Sequence, residues 1–172
     1  MDHQYPRQAR TSDHPRLVAC VQSWWGDSRT PQEARELSLL LPKLFLQHFA
    51  GTSLVLEQGT EIDGFLVGFH SADRRDEAYI HFVGVNPALR NQGVARRLYS
   101  TFFEQAAAAG RTRVRAITAP ANTGSIAFHR AMGFAIEPGT DVVDVTDVTA
   151  GVGVHRDYDG PGQDRVAFVR EL

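Results

Sequence analysis

A mixed α/β (α+β) fold, with a mostly antiparallel central sheet flanked by helices, is what this 172-residue sequence predicts. Two strand-like runs, residues 53–57 and 62–69, flank the turn Gln58-Gly59-Thr60-Glu61 and read as a hairpin. A third run, Ala78-Tyr79-Ile80-His81-Phe82-Val83-Gly84-Val85, follows a polar turn and closes at Asn86-Pro87, whose proline cannot extend a central strand. The period then changes. Val94, Leu98, Phe102 and Ala106 fall four apart on one face of a helix that Gly110 ends.

The other elements follow in order. A short strand is expected over residues 6–10, and Ser12 reads as the N-cap of a helix over 13–24, with Pro15 tolerated in its first turn. Thr30-Pro31 opens a second helical region that Pro42 must kink or divide. After the helix at 94, residues 114–118 form a strand reached by a crossover, hence parallel to its predecessor. Asn122 or Thr123 caps a short helix that Gly133 stops, and residues 134–136 and 165–170 read as strands. Valines between 142 and 148 fit an edge strand or a long loop. No repeat or linker divides the chain, so one domain over residues 1–172 is expected.

Hydrophobic residues make up 42% and charged residues 22%, which describes an ordinary soluble domain. A formal net charge of −2 argues against a general nucleic-acid or anionic-membrane binder. Arg111, Arg113 and Arg115 alternate along a strand and read as a solvated sheet face, the alternative being a nucleotide phosphate contact. The single Cys20 sits in an apolar stretch, where a buried inert thiol is the default, and no leader or membrane span is legible. A cytoplasmic protein is therefore expected, as a monomer or homodimer. No metal-binding, P-loop or nucleophile-elbow spacing is present, so no metal site is expected.

Arg90-Asn91-Gln92-Gly93-Val94-Ala95 joins the third strand to the amphipathic helix. The first turn of a helix has unpaired amides and a partial positive charge, and Gly93 and Ala95 leave no bulk to keep an anion away. The segment reads as a diphosphate cradle, against the plainer alternative of an ordinary β-α corner.

The order of elements and two of these segments resemble the GNAT superfamily of acyl-CoA-dependent N-acyltransferases. Its pattern Gln/Arg-x-x-Gly-x-Gly/Ala is met by Arg90, Gly93 and Ala95. The run from Asn122 through Ser125 and His129 to Gly133-Phe134 matches a second family segment. The resemblance implies transfer of an acetyl group from acetyl-CoA directly to a primary amine. It implies that the backbone of Asn91, Gln92, Gly93, Val94, Ala95 and Arg96 holds the pyrophosphate, with Arg90, Asn122 and Ser125 beside the coenzyme. Val83, Gly84 and Val85 would pair with the pantetheine arm like an added strand.

Two proton movements are needed, and two histidines are candidates. Many family members place a tyrosine acid seven residues after the asparagine, where this chain has His129. His81 resembles a histidine that arylalkylamine N-acetyltransferases carry on the corresponding strand, and its role would be to take the amine's proton. Either ring could equally be a packed core histidine. For the acceptor, Trp24, Trp25 and Tyr79, with Phe45 and His48, could line an aromatic pocket and Asp27 could pair an amine, the alternative being core packing. Residues 155–162 form an acceptor loop or a plain turn. The alternatives to a small-molecule enzyme are a non-catalytic acyl-CoA-binding domain, a ligand-free module, and a protein N-terminal or lysine acetyltransferase.

Overall fold

A computed structural model describes residues 5–25, 29–143 and 151–172. Their contacts gather into two compact units, residues 1–70 with 80–109 and residues 71–79 with 110–172.

The first unit holds strands β1 (Arg7–Gln8), β2 (Leu54–Gln58) and β3 (Glu61–His70) and, from Ile80 onward, strand β4 (Glu77–Val85). β1 and β3 pair antiparallel with β2, and the β2–β3 hairpin turns where the sequence places it. Around them lie α1 (His14–Trp24), α2 (Pro31–Ser38), α3 (Leu44–His48) and α4 (Val94–Ala108). Leu17, Val21, Leu41, Leu46, Val55, Phe65 and Val67 form one apolar core.

The start of the chain differs from expectation. Ser12 does not cap α1, because a 3-10 turn (Thr11–Asp13) precedes it and the organising side chain is Asp13. Its carboxylate accepts the Arg10 amide at 2.7 Å and two Arg7 bonds at 2.9 and 3.0 Å, while Arg7 also reaches Glu57 at 2.6 Å. A carboxylate can accept all of these and a serine hydroxyl cannot. Further on, Thr30 and Glu33 cap α2 reciprocally at 3.2 and 2.7 Å, and Pro42 divides the helical region in two.

The second unit contains the first residues of β4 with β5 (Arg113–Thr118), β6 (Ala135–Ile136), β7 (Asp141–Val143), β8 (Val152–Val154), β9 (Val166–Glu171) and helix α5 (Thr123–Ala131). β5 runs parallel to β4 with Tyr79 opposite Arg115, as a crossover requires, and β9 pairs antiparallel with both β5 and β6. β7 and β8 make a separate ribbon. Of the three arginines read as a solvated face, Arg113 and Arg115 are ion-paired, while Arg111 donates to the Arg75 carbonyl. Arg115 lies 2.9 Å from Glu77 and 2.6 Å from Glu137, and Arg113 reaches Asp76 and Glu171 at 3.4 and 3.3 Å. Glu77 is buried, and a buried carboxylate needs a cation.

Candidate active site

In the first unit the turn before α4 is built from backbone. Asn91 and Gly93 adopt positive φ, +62° and +82°, and Gly93 is the N-cap of α4. The amide of Arg97 makes the helix's first bond, to the Gly93 carbonyl at 3.0 Å, so the amides of Val94, Ala95 and Arg96 precede the ladder. A Cβ built on Gly93 would meet nothing within 4 Å, and Arg90 and Arg96 are exposed beside the turn. Open amides, the helix dipole and two cations favour an anion at that spot.

Glycines shape the approach. A Cβ at Gly84 would lie 2.4 Å from the Phe65 ring, and one at Gly64 would lie 2.7 Å from Val94 and 3.0 Å from the Gly84 carbonyl. Gly64 therefore lets the middle of β4 and the first residue of α4 close upon β3. Sequence reading missed Gly64 and Phe65, although a glycine inside an apolar strand is a signal of close backbone approach. The Asn86 amide bonds the Asp63 carbonyl at 2.9 Å, tying down the end of β4. Val83 and Val85 flank Gly84 and stay half-buried.

His81 faces the opposite way from Ile80 and is half-buried. Its Nε2 lies 2.5 Å from the Leu40 carbonyl, and its ring stacks on Phe45 with centroids 4.2 Å apart and planes 9° apart. Packing accounts for both tryptophans. Trp24 stacks on Phe65 and Trp25 on Phe82, each at 5.9 Å, and both lie against the apolar core. His48 is exposed, and Asp27 lies outside the described residues. Cys20 is half-buried rather than fully enclosed, and burial pushes its thiol pKa up.

In the second unit Asn122 caps α5, its side-chain oxygen accepting the Ser125 amide at 3.2 Å. His129 is buried. Its Nδ1 lies 2.8 Å from the Ser125 carbonyl, and its ring stacks on Phe168 with centroids 4.3 Å apart and planes 5° apart. Burial holds its pKa below the ordinary imidazole value. A carbonyl only accepts, so Nδ1 carries the hydrogen, and burial disfavours the charged ring that an imidazolium acid would use. Burial pushes the Tyr79 phenol up to about 12, with Tyr158 and Asp159 adding to it, so it stays a hydrogen-bond donor. In the loop after β8, Arg156 pairs Asp141 and Asp164 at 2.8 and 2.6 Å, and Arg165 pairs Asp159 at 2.8 Å. The Asp157 carboxylate accepts the Gly162 amide at 2.6 Å. Most of this loop's charge is satisfied within the loop.

Comparison with known proteins adds a family. The model of the acetyltransferase (GNAT) family matches residues 17–134. An L-2,4-diaminobutyric acid acetyltransferase of Vibrio parahaemolyticus is 37% identical over 65 residues, 37% of this chain and 36% of that protein. The enzyme of the same name from Nocardia farcinica is 28% identical over 89 residues, 52% of this chain and 46% of that one. The chain thus spans about a third to a half of the curated relatives it matches. Among solved structures, the Escherichia coli ribosomal-protein-S18-alanine N-acetyltransferase superposes with a TM-score of 0.66 at 17% identity, over 98% of this chain and 94% of that one. Diaminobutyrate acetyltransferase EctA from Paenibacillus lautus, solved with L-2,4-diaminobutyric acid and coenzyme A, gives 0.63 at 18% identity over 95% and 92%. At those identities the likeness concerns the fold, and the matched family model supplies the rest: this chain belongs to the GNAT family of acetyltransferases.

Proposed function

We propose that this protein transfers an acetyl group from acetyl-CoA to a primary amine of a small amino-acid-like acceptor, with L-2,4-diaminobutyrate the first candidate. The observation that supports the donor is the start of α4, where amides ahead of the helical ladder meet the open Gly93 between Arg90 and Arg96. That arrangement fits a pyrophosphate. The acceptor rests on the relatives and on the complexed Paenibacillus structure, all of which carry diaminobutyrate in their names.

Bound acetyl-CoA would supply a thioester whose carbonyl carbon gains a bond to the amine nitrogen and loses its bond to sulfur, which departs as thiolate and takes a proton. The chain's residues set up that exchange. Residues 91–96 anchor the diphosphate, and the edge around Val83, Gly84 and Val85 offers backbone groups to the pantetheine amides and an amide to the developing oxyanion. His81 takes the amine's proton at attack. Burial disfavours the charged form of His129, and its stacking on Phe168 supports a packing role on α5, so departure of the thiolate is not assigned to it. No covalent acyl-enzyme is required, and the half-buried Cys20 is poorly suited to form one. A reducing, cytoplasmic setting suits a chain whose one cysteine is free.

The test is thermal stabilisation by acetyl-CoA followed by thiol release with a panel of amines that includes L-2,4-diaminobutyrate, lysine, spermidine and an N-terminal alanine peptide. Stabilisation with release toward the diamino acid is expected. Stabilisation with no release from any amine would replace the enzyme by a binding domain, and no stabilisation would remove the donor.

A further inference from the structure

The break between the two helices around Pro42 leaves a gap in the backbone bonding of the first unit. The helix that begins at Pro31 ends at Ser38 and the next begins at Leu44, so the carbonyls of Leu40 and Leu41, just before Pro42, lie past the last turn and take donors from elsewhere. Two histidines supply them. His14, from α1, places Nε2 2.8 Å from the Leu41 carbonyl, and His81, from β4, places Nε2 2.5 Å from the Leu40 carbonyl. Between them the turn of residues 39–43 is clasped from two elements, with Leu41 1% exposed in the core and Leu39 75% exposed outside it.

The clasp has a chemical consequence for His81. A carbonyl oxygen can only accept, so the hydrogen sits on Nε2 and the lone pair of the neutral ring sits on Nδ1. Rotating the ring by half a turn would put carbon where Nε2 now bonds. Phe45 lies face to face with the imidazole at 4.2 Å and 9°, and Phe45 is itself braced by Phe49 at 5.9 Å. The ring is therefore fixed in position, plane and tautomer.

We propose that the Leu40 carbonyl and the Phe45 ring are the positioning elements of the reaction, holding His81 so that Nδ1 is the atom that takes the acceptor's proton. This rests on His81 being the base. As the amine nitrogen bonds to the acyl carbon, its N–H bond breaks and the proton passes to Nδ1. The C–S bond then breaks with its electron pair on sulfur, and water protonates the thiolate. The imidazolium formed donates a charge-assisted bond to the Leu40 carbonyl, stronger than the neutral one, so the clasp favours the product of proton transfer.

The test uses the full chain labelled with nitrogen-15. Long-range proton–nitrogen correlation reads the tautomer of each imidazole, and the His81 signals are those lost in His81→Gln. The wild type should show the Nε2–H pattern alone. Phe45→Leu should mix the two tautomers and lower turnover of L-2,4-diaminobutyrate about 10-fold, with the acetyl-CoA KM unchanged. In His81→Gln the side-chain amide reaches the Leu40 carbonyl from the position of Nε2 without offering a base. It should keep the melting temperature and lose about 100-fold or more in turnover. An Nδ1–H pattern in the wild type would overturn the clasp, and so would a Phe45→Leu protein that melts lower with its tautomer and turnover intact. Full turnover in His81→Gln would overturn the base, while the wild-type tautomer would still report on the clasp. Should Phe45→Leu fail to fold, the wild-type pattern and His81→Gln decide the matter.

Discussion

Gly93 allows the donor site to be tested by a graded series. Its φ of +82° lies in the left-handed region, and a Cβ there would meet nothing within 4 Å, so a substitution is resisted by backbone conformation and not by crowding. Left-handed alanine costs about 1–2 kcal/mol, and asparagine tolerates that region. In a chain of this size each kcal/mol shifts the melting temperature by about 2–4 °C, so Gly93→Ala should melt roughly 2–8 °C below wild type and Gly93→Asn closer to it. Ligand reads the second property. Acetyl-CoA at 100 times its Kd should add about 2.7 kcal/mol, or roughly 5–11 °C, to the wild type. Gly93→Glu brings a carboxylate to the amides of residues 94–96, where it competes as a tethered anion, and its shift with acetyl-CoA should vanish. Differential scanning fluorimetry with and without acetyl-CoA measures both quantities. A Gly93→Glu protein stabilised as strongly as the wild type would refute the cradle, and Gly93→Ala melting above Gly93→Asn would refute the conformational argument.

Three further outcomes follow from the same geometry. Arg7 holds the carboxyls of Asp13 and Glu57 below the usual carboxylate range. Carboxyls depressed in the folded state stabilise it above their unfolded pKa of about 4, and that contribution is lost as pH falls through the lower folded values. Asp13→Asn should therefore cost about 2 kcal/mol at pH 7 in urea melts and flatten the decline below pH 4, and an unchanged acid limb would count against the Arg7–Asp13 link. His129 is the converse case, since burial lowers its pKa and the unfolded chain takes up protons first below about pH 6.5. His129→Phe should remove that loss of stability and keep turnover within about three-fold, whereas a fall of about 100-fold would assign His129 to the chemistry. Gly84→Ala sets a Cβ 2.4 Å from buried Phe65 and should destabilise by about 1–3 kcal/mol. Adding Phe65→Leu should recover part of that loss in a double-mutant cycle, and strict additivity would show that the contact is not the cause.

What the sequence reveals and what it hides divide along chain distance. The β2–β3 hairpin, the Asn122 cap and the division at Pro42 depend on neighbours within a few residues, and the parallel β5 follows from the handedness of one helical crossover, so each is legible. The α4 turn is legible for the same reason, because its ligand groups are consecutive amides. Asp13 displaces Ser12 only because Arg7 and Glu57, 50 residues apart, converge on one strand pair. The fate of the two histidines is hidden likewise. His81 meets the carbonyl of a residue 41 positions earlier, and the burial of His129 depends on Phe168 from the last strand. Trp24 and Trp25 illustrate the remaining ambiguity, since the composition of an aromatic pocket and that of a core are the same until the stacking partners are known.

Cys20 bears on how the proposed activity can be measured. It is the one thiol in the chain, it is half-buried, and burial disfavours its thiolate. Chromogenic disulfides react with thiolates, so the protein itself should contribute a slow background of at most one equivalent, while each turnover of the proposed reaction would liberate a fully accessible coenzyme thiol. Reaction progress can then be followed continuously in a cuvette, without quenching or separation, at protein concentrations high enough to expose a weak acceptor.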